Sequence, residues 1–339
     1  MTPEPRRRRV WPWLLALVIL GFLVVSPFLF LFAAVMKAGM AQSAAADPDH
    51  LIEEKIIQKG NERKVVRIDL EGIITSGAAA GRSSMVELFQ AQVKRALADD
   101  QVKAIVIRIN SPGGEVTASD LLHHTLKEAD ARKPVIAYMD SLAASGGYYT
   151  ACGARRIMAH ETTLTGSIGV IIQSPNYREL LDKVGLRMDV YKSGVMKDLL
   201  SGAREPTQAE KDHIQALVRQ TYERFLTVVS ASRHKSVDEL RDSALADGRI
   251  YSGKDALGTG MVDELGFVED AYRAAEKAAG IDGATIVRYS PRGGLLAALG
   301  LLGQAAAADR KLEIDVSDRL LPHLQAGIPY YLHLPATTP

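Results

Sequence analysis

The apolar positions divide the chain into stretches of different period. No charge lies between Arg9 and Lys37, and Leu14 to Val35 is apolar almost throughout, which exceeds the roughly 20 apolar residues a helix needs to cross a bilayer core. From Lys64 to Ile74 the residues alternate and β-branch as in a strand. Val86 to Leu97 changes to helical spacing, with Leu88, Phe89, Val93 and Leu97 on one side. Val102 to Ile109 is nearly continuous Val and Ile and stops at Asn110-Ser-Pro-Gly-Gly, a buried strand with an abrupt turn. Thr117 to Ala129 then reads as helix, Pro134 to Met139 as strand and Ser145 to Ala151 as a helix start, while Ile157 to Ala159 and Ser167 to Ile172 read as short strands. Strands alternating with short helices predict an α/β core of buried, mainly parallel strands.

Beyond Leu200 the pattern is helical. Thr207 and Glu210 form a T-x-x-E capping box after Pro206, and Ile214, Leu217, Val218, Phe225, Leu226 and Val229 continue one long amphipathic helix whose stripe is an ordinary packing face. Val268 to Gly280 is another helix. Before the first strand, the Ala-, Asp- and Lys-containing stretch reads as a tether with a helical portion around Leu51 to Lys59. After Ser290 the chain turns Gly, Ala and Leu rich, then Pro rich, with Tyr330 and Tyr331 near its end, and reads as an appendage without a motif.

Arg6 to Arg9 and Trp11 and Trp13 flank the first apolar run. By the positive-inside rule they hold the N-terminus in the cytoplasm and send the remainder across, with the rings at headgroup level. A cleaved signal peptide is the alternative, since Ala41 to Ala46 offers small residues, but a cleavable apolar region is normally only about 7–15 residues long. The expected organisation is therefore a cytoplasmic basic N-terminus (1–9), a transmembrane helix (10–36), a tether (37–63), a catalytic-size domain (64–285) and a tail (286–339).

The formal net charge of +1 provides no single-sign field to recruit nucleic acid. With the first 37 residues removed the balance turns slightly acidic. Cys152 is the one cysteine, which excludes an intramolecular disulfide and a thiolate zinc cluster. His160-Glu161-Thr162-Thr163-Leu164 lacks the second histidine of H-E-x-x-H, and G-x-G-x-x-G and the P-loop pattern are missing. No metal, nucleotide or other cofactor is implied.

Three stretches join glycine to reactive polar groups. Ser111-Pro-Gly-Gly114 follows an apolar strand, and paired glycines let backbone N–H groups converge as an oxyanion hole requires; a plain strand-ending turn is the ordinary alternative. In Ser141-Leu-Ala-Ala-Ser145-Gly-Gly-Tyr-Tyr149, Ser145 stands at a helix entrance among small residues. A routine N-cap and an exposed nucleophile want the same place, and local sequence does not separate them. In Tyr191-Lys192-Ser-Gly-Val-Met-Lys197-Asp198, a lysine can replace histidine as base if desolvation lowers its pKa. Lys197 follows Val195 and Met196; a surface lysine is the default for any isolated one. His160 has no partner arrangement that the sequence reveals.

The ordered set changes these weights. Ser-Pro-Gly-Gly, Ala-Ala-Ser-Gly-Gly-Tyr-Tyr, Leu164-Thr-Gly-Ser-Ile-Gly-Val170, Lys192-Ser-Gly-x-x-Lys197-Asp198 and Asp247-Gly-Arg-x-Tyr-x-Gly253 resemble the signal peptide peptidase A family of serine-lysine proteases, in its short single-domain bacterial form. The resemblance spans about Val65 to Lys277. It implies a crotonase-like (ClpP-type) domain with C-terminal helices, a plasma-membrane anchor with the domain on the outer side, and a homo-oligomer whose protomers share sites. Position by position it implies Ser145 as nucleophile, Lys197 as general base, Ser167 as the hydroxyl orienting that base, and Gly114 and Gly146 as oxyanion donors. The expected activity is endopeptidase cleavage of apolar peptides, such as signal peptides left after preprotein processing, through an acyl-enzyme. A crotonase-type acyl-thioester enzyme and a noncatalytic membrane scaffold of the same fold are the competing expectations; the first needs carboxylates over the site and a cytosolic substrate.

Overall fold

The uninterrupted Val/Ile run becomes the interior of a large sheet because both of its faces are covered. The computed structural model describes residues 52–77, 83–291 and 329–332; the basic N-terminus, the predicted membrane span and most of the tail lie outside the described residues. Among the described residues no helix is long and apolar enough to cross a membrane.

In chain order the elements are β1 (Ile52–Gln58), β2 (Asn61–Glu71), α1 (Met85–Ala98), β3 (Val102–Ser111), β4 (Gly113–Glu115), α2 (Val116–Asp130), β5 (Val135–Ala144), α3 (Gly146–Ala151), β6 (Arg156–Ala159) and β7 (Leu164–Gly166). There follow α4 (Arg178–Lys183), α5 (Gln208–Arg233), α6 (Val237–Arg241), β8 (Ile250–Ser252), α7 (Gly253–Gly258), β9 (Glu264–Leu265), α8 (Val268–Ala279), β10 (Ala284–Pro291) and β11 (Tyr330–Leu332).

The main sheet runs β1-β10-β2-β3-β5-β6-β9, parallel from β10 onward, with β7 and β8 branching from β5. Besides β3, strand β5 serves two neighbours: Ile136 to Met139 pair with β6, and Leu142 to Ala144 pair with β7. Along β3, Ala104 and Val106 pack with Ala271, Tyr272 and Ala275 of α8, while Ile105, Ile107 and Ile109 join the larger core with Leu122 of α2 and Phe225 of α5. Burial on both faces is why this strand does not alternate. The two expected capping residues hold their helix: Thr207 Oγ1 accepts from the Glu210 N–H at 3.3 Å, and Glu210 Oε2 accepts from the Thr207 N–H at 2.7 Å.

Three expectations are corrected. Residues 52–58, read as helical tether, form the edge strand β1, which pairs antiparallel with β10 from Ile52 opposite Pro291 onward. The strand expected at Ser167 to Ile172 ends instead at Gly166, because Gly166 (φ 84°) and Ser167 (φ 51°) both take left-handed backbone; beyond them only Ile171 bridges to another strand. The tail is no mere appendage throughout, since Tyr330 to Leu332 pair with β4.

Candidate active site

The parallel pairing of β5 with β7 ends in register, Ala144 opposite Gly166, and therefore delivers Ser145 and Ser167 side by side at the sheet's carboxyl edge. The Ser145 N–H donates to the Gly166 carbonyl at 2.8 Å. Ser145 precedes α3 in the N-cap position but makes no side-chain cap bond, so capping is not what its hydroxyl does. The residue is 1% exposed, and Ser145 Oγ is buried without a hydrogen-bond partner. Its backbone stands at φ 52° and ψ −114°, a strained conformation costing of order 1–3 kcal/mol that persists where the surroundings impose it.

Gly113, Gly114 and Gly146 converge beside it. A methyl on Gly146 would lie 3.1 Å from the Gly114 amide nitrogen, and one on Gly113 would lie 2.6 Å from the Gly146 amide nitrogen. Gly113 also takes φ 99°, where a side chain is strained. The turn after β3 is thus glycine because backbone must approach backbone: Ile74 packs against it as well, its N–H donating to the Gly113 carbonyl at 2.8 Å. Gly114 N–H and Gly146 N–H, the expected oxyanion donors, sit on these neighbouring segments.

Lys197 is placed differently. It lies in a 3-10 turn (Val195–Asp198) in which no residue is buried, and its neighbours Val195 and Met196 are 74% and 42% exposed; the desolvation expected from them is absent within one chain. Because Ser145 Oγ has no partner, neither Lys197 nor Ser167 nor any histidine among the described residues bonds it. His123 is the buried imidazole on α2, pushed down to about 4 by burial, and it packs edge-on against Tyr149. Burial pushes the Cys152 thiol up to about 12, so it is no thiolate at neutral pH.

The segment carrying Lys197 forms an arm between β7 and α5. It is tied by polar contacts: Lys192 Nζ donates to Asp198 at 2.6 Å, Arg204 to Asp198 at 2.7 Å and to Glu210 at 2.5 Å, and the Ser174 hydroxyl to the Leu200 carbonyl at 2.6 Å. Leu180, Val184, Leu186, Met188, Val190 and Tyr191 of this arm are all exposed, Tyr191 by 97%. Arg204 above all holds Asp198 well below the usual carboxylate range and brings Glu210 down to about 2. A depressed carboxylate adds stability that is complete above its unfolded pKa, about 4, and is lost as pH falls toward the folded value. Thermal unfolding scans should therefore show a midpoint that drops between pH 5 and pH 2.5, and Arg204→Gln should flatten that drop; an unchanged slope in Arg204→Gln would remove these ion pairs from the account.

Sequence reasoning did not join Tyr149, whose N–H donates to the Ser145 carbonyl at 2.8 Å, to Phe225 and Tyr331, whose rings pack against it, or Tyr330 to Ile171, with which it exchanges backbone hydrogen bonds. Tyr149 stood within a quoted motif and Tyr330-Tyr331 were visible as aromatics in a Pro-rich tail, but nothing local joined them.

Comparison with known proteins agrees with this architecture. The family model described as peptidase family S49 matches residues 127–282, and that described as Clp protease matches residues 61–173. A protein of Enterococcus faecium named as a signal peptide peptidase, SppA, is 34% identical over 278 residues, covering 80% of each chain. A protein of Synechocystis named as a protease is 39% identical over 65% of this chain and 76% of its own length. Protease 4 of Haemophilus influenzae is 32% identical over 63% of this chain, which spans 34% of that longer protein.

Proposed function

Since the chain belongs to peptidase family S49 and is a serine peptidase, we propose that Ser145 is its nucleophile and that it cleaves extended apolar peptides through an acyl-enzyme. The acyl-thioester and scaffold alternatives fall with the family assignment. The observation that carries the reading is the Ser145 hydroxyl, buried and unpartnered at a strained strand-to-helix turn, beside two convergent glycine amides. A hydroxyl there reaches a carbonyl carbon whose oxygen points at Gly114 N–H and Gly146 N–H; those donors stabilise the charge that develops in the tetrahedral intermediate.

The base is Lys197, supplied by a neighbouring copy. Within one chain the arm holds it in solvent, and the arm's exposed apolar side chains make the kind of surface that marks a protein interface. Docked on a second copy, the arm brings Lys197 to Ser145, loses its hydration, and favours the neutral amine that can take the Ser145 proton. Ser167, delivered beside Ser145 by the strand register, orients that amine. Co-expressed Ser145→Ala and Lys197→Ala subunits should regain activity, because some interfaces of a mixed oligomer carry both native residues. Verified mixed oligomers without any activity would place the dyad within one chain.

The relative's name as a signal peptide peptidase, together with the apolar span ahead of the domain, supports remnant signal peptides as substrates and a bacterial plasma-membrane anchor with the domain outside. Protease added to spheroplasts should digest a tag placed after Pro339. Protection of the tag until lysis would contradict that orientation.

A further inference from the structure

The segment that follows β2 sets the direction of the Gly114 N–H. Ile74, completely buried, forms a parallel bridge with Gly114: its N–H donates to the Gly113 carbonyl and its carbonyl accepts from the Glu115 N–H, both at 2.8 Å. Successive residues of a strand turn their backbone groups to opposite edges. With Gly113 and Glu115 committed to Ile74, the Gly114 N–H therefore faces the other way, where a methyl on Gly146 would lie 3.1 Å from its nitrogen. The strap lies close. A methyl on Gly114 would stand 1.9 Å from the Ile74 carbonyl oxygen, so only glycine lets the two backbones meet.

The Glu115 side chain fastens that strap. Its Oε1 accepts from the Thr75 hydroxyl at 2.8 Å, and its Oε2 accepts from the Ser76 N–H at 2.9 Å and the Ser76 hydroxyl at 2.5 Å. Burial opposes the charge, but the Ser76 and Thr75 donors outweigh it and hold the carboxyl below its usual range. The Glu115 carbonyl reaches the other donor segment. It accepts from the buried Ser119 hydroxyl at 2.8 Å, and a methyl on Gly146 would stand 2.4 Å from Ser119 Oγ. One residue thus joins the strap, β4 and the wall behind Gly146, and its carboxylate reaches the reaction only through the Gly114 amide.

We infer that Glu115 is a positioning residue for the oxyanion hole: its carboxylate holds Thr75 and Ser76 and, through Ile74, keeps the Gly114 N–H aimed at the oxygen of the tetrahedral intermediate. This rests on Ser145 being the nucleophile and Gly114 an oxyanion donor. Release of the strap leaves the serine in place but lets the amide turn. The hydrogen bond it weakens is the one that strengthens as charge develops on the oxygen, so kcat falls while KM stays. Glu115→Gln separates hydrogen bonding from charge. Its amide oxygen can still accept from Ser76, and its NH2 can donate to the Thr75 hydroxyl, which accepts as readily as it donates.

Peptide hydrolysis by the full-length protein in detergent tests this, together with inhibition by a peptidyl aldehyde, whose hemiacetal oxygen on Ser145 takes the oxyanion's place. Glu115→Ala should lower kcat about 10- to 100-fold, less than outright loss of a donor, with KM within about 3-fold and the aldehyde weakened by the same factor as kcat. Glu115→Gln should stay within about 5-fold of wild type. Thr75→Val with Ser76→Ala releases the strap from its other end and should reproduce most of the Glu115→Ala loss, and adding Glu115→Ala should cost little more. A raised KM at unchanged kcat, unaltered aldehyde inhibition, Gln as poor as Ala, or additive losses overturns the inference and spares the nucleophile assignment. If Glu115→Ala does not fold, the Thr75→Val, Ser76→Ala protein decides alone, and wild-type kcat in it overturns the inference. A wild type that hydrolyses peptides yet resists the aldehyde would instead remove the reading of Ser145 on which it stands.

Discussion

Ser145→Ala is expected to lower peptide hydrolysis by a factor of order 10⁶, to the residual rate that binding and the oxyanion donors alone sustain, while leaving the fold intact. The hydroxyl has no hydrogen-bond partner, so its removal orphans no other group and should shift stability by less than about 1 kcal/mol. Ser145→Gly sharpens the point. It should be equally inactive yet more stable, by about 1 kcal/mol, because glycine relieves the strain at φ 52°. Stability that rises as activity vanishes is the signature of a residue held in place for chemistry. Thermal unfolding and kcat/KM for the three proteins decide it; a large loss of stability in Ser145→Ala would return the serine to a structural role.

The second large effect separates two lysines five residues apart. Lys197→Ala should reduce kcat/KM by about 10³-fold or more, whereas Lys192→Ala should cost less than about 10-fold. Lys192 is committed to Asp198 at 2.6 Å and to the Val195 carbonyl at 3.1 Å, contacts that shape the arm. The Lys197 ammonium has no such engagement among the described residues. Lysine accepts a proton only as the neutral amine, so the wild-type rate should climb with pH until that amine is formed. Parallel pH-rate profiles of the two variants provide the check. Inactivity confined to Lys192→Ala would reverse the assignment.

What the sequence discloses follows the range of the forces involved. The β3 run, the Thr207–Glu210 cap and the helical stripes of α1, α5 and α8 are local patterns and are legible as such. Strand β1 is not, because Ile52 to Gln58 finds its partner in β10, more than two hundred residues later, and the local pattern of Ile52-Glu-Glu-Lys-Ile-Ile suits a helix as well as an edge strand. Ser145 was marked by its motif, but cap and nucleophile demand the same neighbours; only the backbone angle and the unpartnered hydroxyl distinguish them. Lys197 was marked likewise, while its exposure on an arm depends on packing that no motif encodes. The ring cluster of Tyr149, Phe225 and Tyr331 is the least legible feature, assembled from α3, α5 and the tail.

In the proposed mechanism Ser145 attacks the peptide carbonyl. A peptidyl aryl phosphonate, reacted with the full-length protein in detergent and located by mass spectrometry of the digested adduct, tests it most directly. One phosphonyl group on Ser145, loss of peptidase activity in proportion to labelling, and no adduct in Ser145→Ala are the expected results. Complete inactivation with the adduct on another residue, or with Ser145 unmodified, would contradict it.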